Sequence, residues 1–182
     1  MSESLEKLTV FIDTAHLLRR VNELAEQIEL DFHNRKPVVL IMLKGGALFA
    51  ADLMKALDKS WPMAYVSVRG SEQPWMSNED KRLIRDRDLL IVDTLLDSGH
   101  SMKKLMEWLK PLQPASKQIA ILLHKTVSDA EPLPIQYLGF EVPDVRLVGY
   151  GLDEDQLYRG RPAIYTWWEP QVISSGKGNG NN

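Results

Sequence analysis

The chain has 182 residues, 44% hydrophobic and 26% charged, a composition that can bury one sizeable globular core. Its 22 Lys and Arg against 25 Asp and Glu leave a net charge of −3, which argues against broad binding to nucleic acid or an anionic membrane but leaves room for a local basic pocket. Zero cysteines exclude disulfides, thiolate zinc, iron–sulfur ligation and a cysteine nucleophile, so any metal must be held by oxygen or histidine.

The opening Met1-Ser-Glu-Ser-Leu-Glu-Lys7 carries acids where a signal peptide needs a basic and then apolar run, and no apolar stretch approaches the roughly 18 residues of a membrane span. A cytoplasmic protein is expected. Leu17, Val21, Leu24 and Ile28 recur at spacings of four, three and four, an amphipathic helix from Thr14 to Phe32 with Asp13 or Thr14 as its cap. Val38 to Leu43 is a continuous apolar run, of the kind buried on both faces of a parallel sheet, and it ends in Lys44-Gly45-Gly46. Leu48 to Leu57 then reads as a helix, Met63 to Val68 as a strand, and residues 69 to 88 as a long polar connection containing Pro74 and Trp75.

Leu89 to Leu95 is the second buried strand, followed by a turn and a helix with Met102, Leu105, Met106 and Leu109 on one side, closed by Pro111. Gln118 to Lys125 is a further strand. Strands alternating with helices predict an α/β fold with a mostly parallel central sheet flanked by helices, a Rossmann-like core. Tyr137–Val142, Leu147–Tyr150 and Pro162–Trp168 add short strands late in the chain and suggest a smaller subregion. Residues 1–173 read as a single domain and 174–182 as a frayed polar tail.

In open parallel sheets ligands gather beyond the carboxyl ends of the strands, which directs attention to the residues after Leu43, Val92 and Leu123. The strongest signal is Val92-Asp-Thr-Leu-Leu-Asp-Ser-Gly-His-Ser101. An apolar strand delivers Asp93 and Asp97 to the start of a helix, where backbone N–H groups and the hydroxyls of Ser98 and Ser101 can seat a phosphate. The two carboxylates could receive sugar hydroxyls or a proton. Read without that context, Lys44-Gly45-Gly46 is only a tight turn, Asp97 a helix cap, and Lys125 a solvated charge at a strand end.

This segment resembles the phosphoribosyl-diphosphate (PRPP) binding motif of type I phosphoribosyltransferases, and the chain from about Ile12 to Tyr165 is similar to their hypoxanthine-guanine branch. Leu43-Lys-Gly-Gly46, Leu122-Leu-His-Lys125, Gly139-Phe-Glu-Val-Pro-Asp144, Val148-Gly-Tyr-Gly-Leu-Asp153 and Tyr158-Arg159 follow in family order. The resemblance implies a core with a small hood subregion. It implies Asp97 as the general base for purine N7 and Asp93 as a ligand of the ribose hydroxyls. Ser98, Gly99, His100 and Ser101 would hold the 5′-phosphate. Lys44 and Gly45 would bind pyrophosphate on a turn whose Leu–Lys peptide is cis, with Arg159 as a further pyrophosphate grip. Lys125 would donate to the oxygen at purine C6, Arg146 and Leu147 would border the purine, and Asp153 would help hold Mg²⁺ through water. The implied partners are PRPP and a purine base, with a homodimer or homotetramer as the assembly and neither nucleic acid nor membrane.

The chain departs from the family pattern in four places. Thr94 stands where a second acid is usual, so one ribose contact would become a neutral hydroxyl. Gly70-Ser71 replaces a Ser-Tyr pair at the start of a mobile loop, Arg146 aligns with the aromatic residue that stacks on the purine, and His100 replaces a Lys. Two other readings stay open on these departures: a regulatory protein that keeps the phosphate seat with weakened catalysis, and a transferase for a different base. Trp75 reads as a lid or a merely exposed aromatic, and Trp167-Trp168 as packing or a subunit contact. His16, His33 and His124 have no metal-ligand pattern.

Overall fold

The computed structural model describes residues 8–70, 72–128 and 130–167, so the predicted tail and Trp168 lie outside the described residues. Its centre is a five-stranded parallel sheet in the order β3-β2-β4-β5-β6, built from β2 (Val38–Leu43), β3 (Met63–Ser67), β4 (Asp88–Leu96), β5 (Ser116–Lys125) and β6 (Tyr137–Val142). Uninterrupted apolar runs form the inner strands because both faces are covered, and alternate residues feed two separate cores. Val39, Ile41, Leu90, Val92, Ala120 and Leu122 join one core with Leu17, Val21, Leu24, Phe49 and Leu53 of α1 (Thr14–Asp31) and α2 (Ala47–Leu57). Val38, Leu40, Leu89, Ile91, Ile119 and Ile121 join the other with Ile84 of α3 (Asn78–Ile84) and Met102, Leu105 and Leu109 of α4 (His100–Leu109). Helix α1 starts as the spacing predicts, with the Asp13 carboxylate accepting from the His16 N–H at 2.9 Å.

The long polar connection from 69 to 88 holds regular structure that the sequence reading did not assign. Trp75 exchanges backbone hydrogen bonds with Ser67, both 2.9 Å, and α3 follows with Ser77 as its cap, accepting from the Asp80 N–H at 3.0 Å. Acids in its first turn and bases in its last complement the helix dipole, yet Ile84 is its single fully buried side chain, so no apolar periodicity marks it. Trp75 itself is 67% exposed. Of the late strands, Tyr137–Val142 joins the main sheet as β6, whereas β7 (Leu147–Val148) and β8 (Ile164–Trp167) form a small antiparallel sheet with β1 (Leu8–Ile12), in the order β1-β8-β7. Strand β1 escapes a sequence reading because Thr9, Val10 and Phe11 are all exposed and show no alternation. Among the described residues no helix is long and apolar enough to cross a membrane.

After β2 the chain crosses to one edge through β3, then returns and builds β4, β5 and β6 in the other direction. The carboxyl ends of β2 and β4 therefore flank the switch point where such sheets open a crevice.

Candidate active site

The β4–α4 turn makes one wall of that crevice. Gly99 takes φ of +83°, the left-handed region that favours glycine, and a Cβ there would come within 3.1 Å of the Leu133 side chain and 3.2 Å of that of Glu131, so those side chains would have to give way. Gly99 is the N-cap of α4 and no side chain caps the helix, which leaves the first-turn N–H groups to another acceptor. Asp97 is thus not a capping residue. The Ser98 hydroxyl and His100 Nδ1 lie 2.7 Å apart, while Glu131 sits behind the turn, 2.8 Å from Lys103, whose ammonium holds that carboxyl below its usual range.

The β2–α2 turn makes the facing wall. Its Leu43–Lys44 peptide is cis. Lys44 Nζ donates to Gln156 Oε1 at 2.9 Å, and the Gly45 carbonyl accepts from Thr94 Oγ1 at 3.0 Å. The segment after β7 closes on the same turn: Gly151 takes φ of +96°, and a Cβ there would lie 2.1 Å from the Gly45 oxygen. Arg159 donates from Nη1 to the Gly151 carbonyl at 2.7 Å and pairs through Nη2 with Asp153 at 2.6 Å. Its Nε is buried without a partner among the described residues, a cationic donor set back from solvent.

Between these walls lies a cavity of about 290 Å³ that Lys44, Gly45, Asp93, Asp97, Ser98, Gly99, His100, Ser101, Asp153 and Arg159 all line. Asp93 sits at its floor, enclosed by protein except toward the cavity; burial pushes its carboxyl up to about 7, against the pull of the Thr94 N–H that it accepts at 2.8 Å. Lys125, at the end of β5, reaches Asp97 at 3.1 Å and Asp144 at 3.0 Å, and its side chain is only 12% exposed. Burial alone would lower the Lys125 ammonium, but the hydrogen bonds to Asp144 and Asp97 outweigh it and raise the pKa above its ordinary value.

Four expected ligands are placed away from the cavity lining, Lys125 among them, held as it is by Asp97 and Asp144. Thr94 does not line the cavity: it is fully buried and its hydroxyl points to the Gly45 carbonyl, because adjacent residues of a strand face opposite ways and Asp93 takes the cavity side. Arg146 stacks its guanidinium over Trp167 at 4.8 Å and pairs through Nε with Glu154 at 3.0 Å, so Trp167 packs within the chain. The Leu147 side chain is buried in the core, which leaves its backbone as the part able to meet a ligand. The sequence reading missed Gly151, Gln156 and Asp144. Asp144 was within reach, since it follows the carboxyl end of β6 just as the other site residues follow β2, β4 and β5.

Residues 12–155 match the phosphoribosyl transferase domain family. The hypoxanthine-guanine phosphoribosyltransferase of Aquifex aeolicus is 32% identical over 168 residues, covering 88% of this chain and 94% of that protein; that of Bacillus subtilis is 31% identical over 171 residues, covering 90% and 94%. The crystal structure of a hypoxanthine-guanine phosphoribosyltransferase from Bacillus anthracis superposes with a TM-score of 0.82 at 29% identity, over 89% of this chain and 99% of that one. A shared fold alone would leave the chemistry open, but similarity spanning nearly the whole of these enzymes, with the acidic strand end and the uncapped β4–α4 turn in place, does not. The chain belongs to the phosphoribosyltransferase family, in its hypoxanthine-guanine branch.

Proposed function

We propose that the protein is a purine salvage phosphoribosyltransferase that moves the 5-phosphoribosyl group of PRPP to a 6-oxopurine, hypoxanthine or guanine, giving IMP or GMP and pyrophosphate. The observation that carries this reading is the single cavity in which an uncapped helix start and two carboxyl groups face a Lys44-Gly45 turn and Arg159. The 5′-phosphate fits the Ser98–Ser101 turn, where N–H groups and hydroxyls converge. The pyrophosphate fits the opposite wall, between Lys44, Gly45 and Arg159, the two cations that line that side of the cavity. The ribose then lies over Asp93 and the base toward Lys125, with Arg146 and the Leu147 backbone beyond it.

As the bond from C1 of ribose to pyrophosphate breaks and the bond from purine N9 to C1 forms, positive charge develops on the sugar and negative charge on the leaving group. The Asp97 carboxylate suits the first, joined by Asp93 in its ionised form, and Lys44 and Arg159 suit the second. Purine N7 gives up its proton, and Asp97 is the acceptor at hand. Lys125, held as a cation, donates to an oxygen at C6 and has nothing to offer the donor amino group of adenine.

Among the described residues no three acidic or histidine side chains converge as a cage for a metal. Asp153 lines the cavity wall with one oxygen paired to Arg159 and the other accepting from the Gln156 N–H at 2.9 Å, so it would meet Mg²⁺ through water, as suits an ion that retains water and is shared with substrate phosphates. When bound, the ion supplies neutralisation of the departing diphosphate. A homodimer or homotetramer in the cytoplasm is the assembly and location we propose with this activity.

Pyrophosphate release and the ultraviolet change on nucleotide formation test the reading with hypoxanthine, guanine and xanthine, each with PRPP and Mg²⁺. Turnover of hypoxanthine or guanine is expected, abolished by EDTA and restored by Mg²⁺. PRPP binding with no turnover of any base would favour a regulatory protein instead.

A further inference from the structure

Lys125 belongs to a row of charges along the carboxyl edge of three neighbouring strands: Asp97 after β4, Lys125 ending β5 and Asp144 after β6. Asp97 and Asp144 lie 3.1 and 3.0 Å from Nζ, and their side chains are 56% and 65% exposed against 12% for Lys125. The ammonium is therefore the fixed centre of the row, approached by a carboxylate from either side. An ammonium has three N–H donors, and two carboxylates fix the direction of two of them. The third is left to whatever enters the site.

We propose that Asp144 is a positioning residue for 6-oxopurine recognition: it anchors Lys125 so that one N–H stays aimed at the exocyclic oxygen of the bound base. This rests on the roles of Asp97 and Lys125 given above. Those roles also explain why one carboxylate would not suffice. Asp97 becomes neutral when it accepts the N7 proton, and a neutral carboxyl is a poorer partner for an ammonium than a carboxylate. Asp144 takes no part in the proton transfer and keeps its charge throughout. Without it, the Lys125 ammonium would be drawn wholly to Asp97 in the empty site, and entry of a base would require that contact to be exchanged for the purine oxygen.

Calorimetric Kd values for IMP and AMP, with hypoxanthine and PRPP kinetics, test the proposal in wild type, Asp144→Ala, Asp144→Glu, Lys125→Ala and the double alanine variant. Asp144→Ala should weaken IMP about tenfold, the loss of roughly one charge-assisted hydrogen bond, and leave AMP within about twofold. KM for hypoxanthine should rise by a similar factor while KM for PRPP stays within about twofold. Asp144→Glu should recover most of the IMP preference, and in the Lys125→Ala background the Asp144 substitution should add less than about twofold. An unchanged IMP-to-AMP ratio in Asp144→Ala, or an undiminished effect without Lys125, would overturn the proposal while leaving the enzyme assignment intact. Selective IMP binding that depends on Asp144, in a protein that turns over no base, would support the positioning role and sink the proposed activity. Wild-type protein that binds neither nucleotide would overturn both.

Discussion

Asp93→Asn in the ligand-free protein isolates the energetic cost of the site. The Asp93 carboxyl moves from an ordinary 3.8 to about 7 because folding strips water from it, and the Thr94 N–H offsets only part of that cost. A carboxyl with a raised folded-state pKa binds more protons folded than unfolded between those two values, so it makes stability fall as pH rises from about 4 to 7, with the full cost present above. The interval from 3.8 to about 7, at about 1.36 kcal/mol per pH unit, sets a ceiling of about 4 kcal/mol. The carboxyl opens on the cavity and its water, so roughly half of that or less is expected. Urea unfolding of wild type and Asp93→Asn from pH 4.5 to 8.5 reads the effect directly. The variant should gain on wild type by roughly 1 to 2 kcal/mol across that range, whatever constant offset the substitution brings. A difference that stays flat with pH, or that favours wild type as pH rises, would refute a desolvated carboxyl at the cavity floor.

Asp97→Asn keeps the phosphate seat and removes the proton acceptor, so kcat should fall roughly 10²- to 10⁴-fold while the calorimetric Kd for PRPP moves by less than about threefold. Thr94→Val leaves the Gly45 carbonyl without its donor and should cost about 1 to 3 kcal/mol in urea unfolding, with Thr94→Ser largely restoring it; loss of ribose 5-phosphate affinity at unchanged stability would mean that the hydroxyl serves the sugar. Gly151→Ala forces a Cβ against the Gly45 oxygen at a left-handed φ, so it should lower Tm and weaken pyrophosphate binding more than ribose 5-phosphate binding.

The fold was legible where burial is two-sided. Val38–Met42 and Leu89–Val92 can only be inner strand, because each successive residue has a core to enter, and the βα alternation then fixes a parallel sheet. It was illegible where stability comes from backbone pairing or end effects. Helix α3 is held by its cap, its charge order and one buried isoleucine, and β1 by pairing to a strand about 155 residues away; neither leaves a periodic trace in the sequence.

The site divides along a similar line. The turns after β2 and β4 were readable because glycine, serine and acid at a strand end have few other uses together. The direction of Thr94 was also readable, but only from the pleat: with Asp93 and Asp97 facing the crevice, the residue between Asp93 and Leu95 must face away. That geometry changes what the missing second acid means. A threonine at 94 subtracts nothing from the cavity wall; it places a neutral donor against the carbonyl of the opposite turn and ties β4 to the Lys44-Gly45 wall from behind. Gly151 presses on the same oxygen from the third side, so the spacing between the two cavity walls is set by contacts outside the cavity. Charge then decides what enters, and packing decides how far apart its two ends must be.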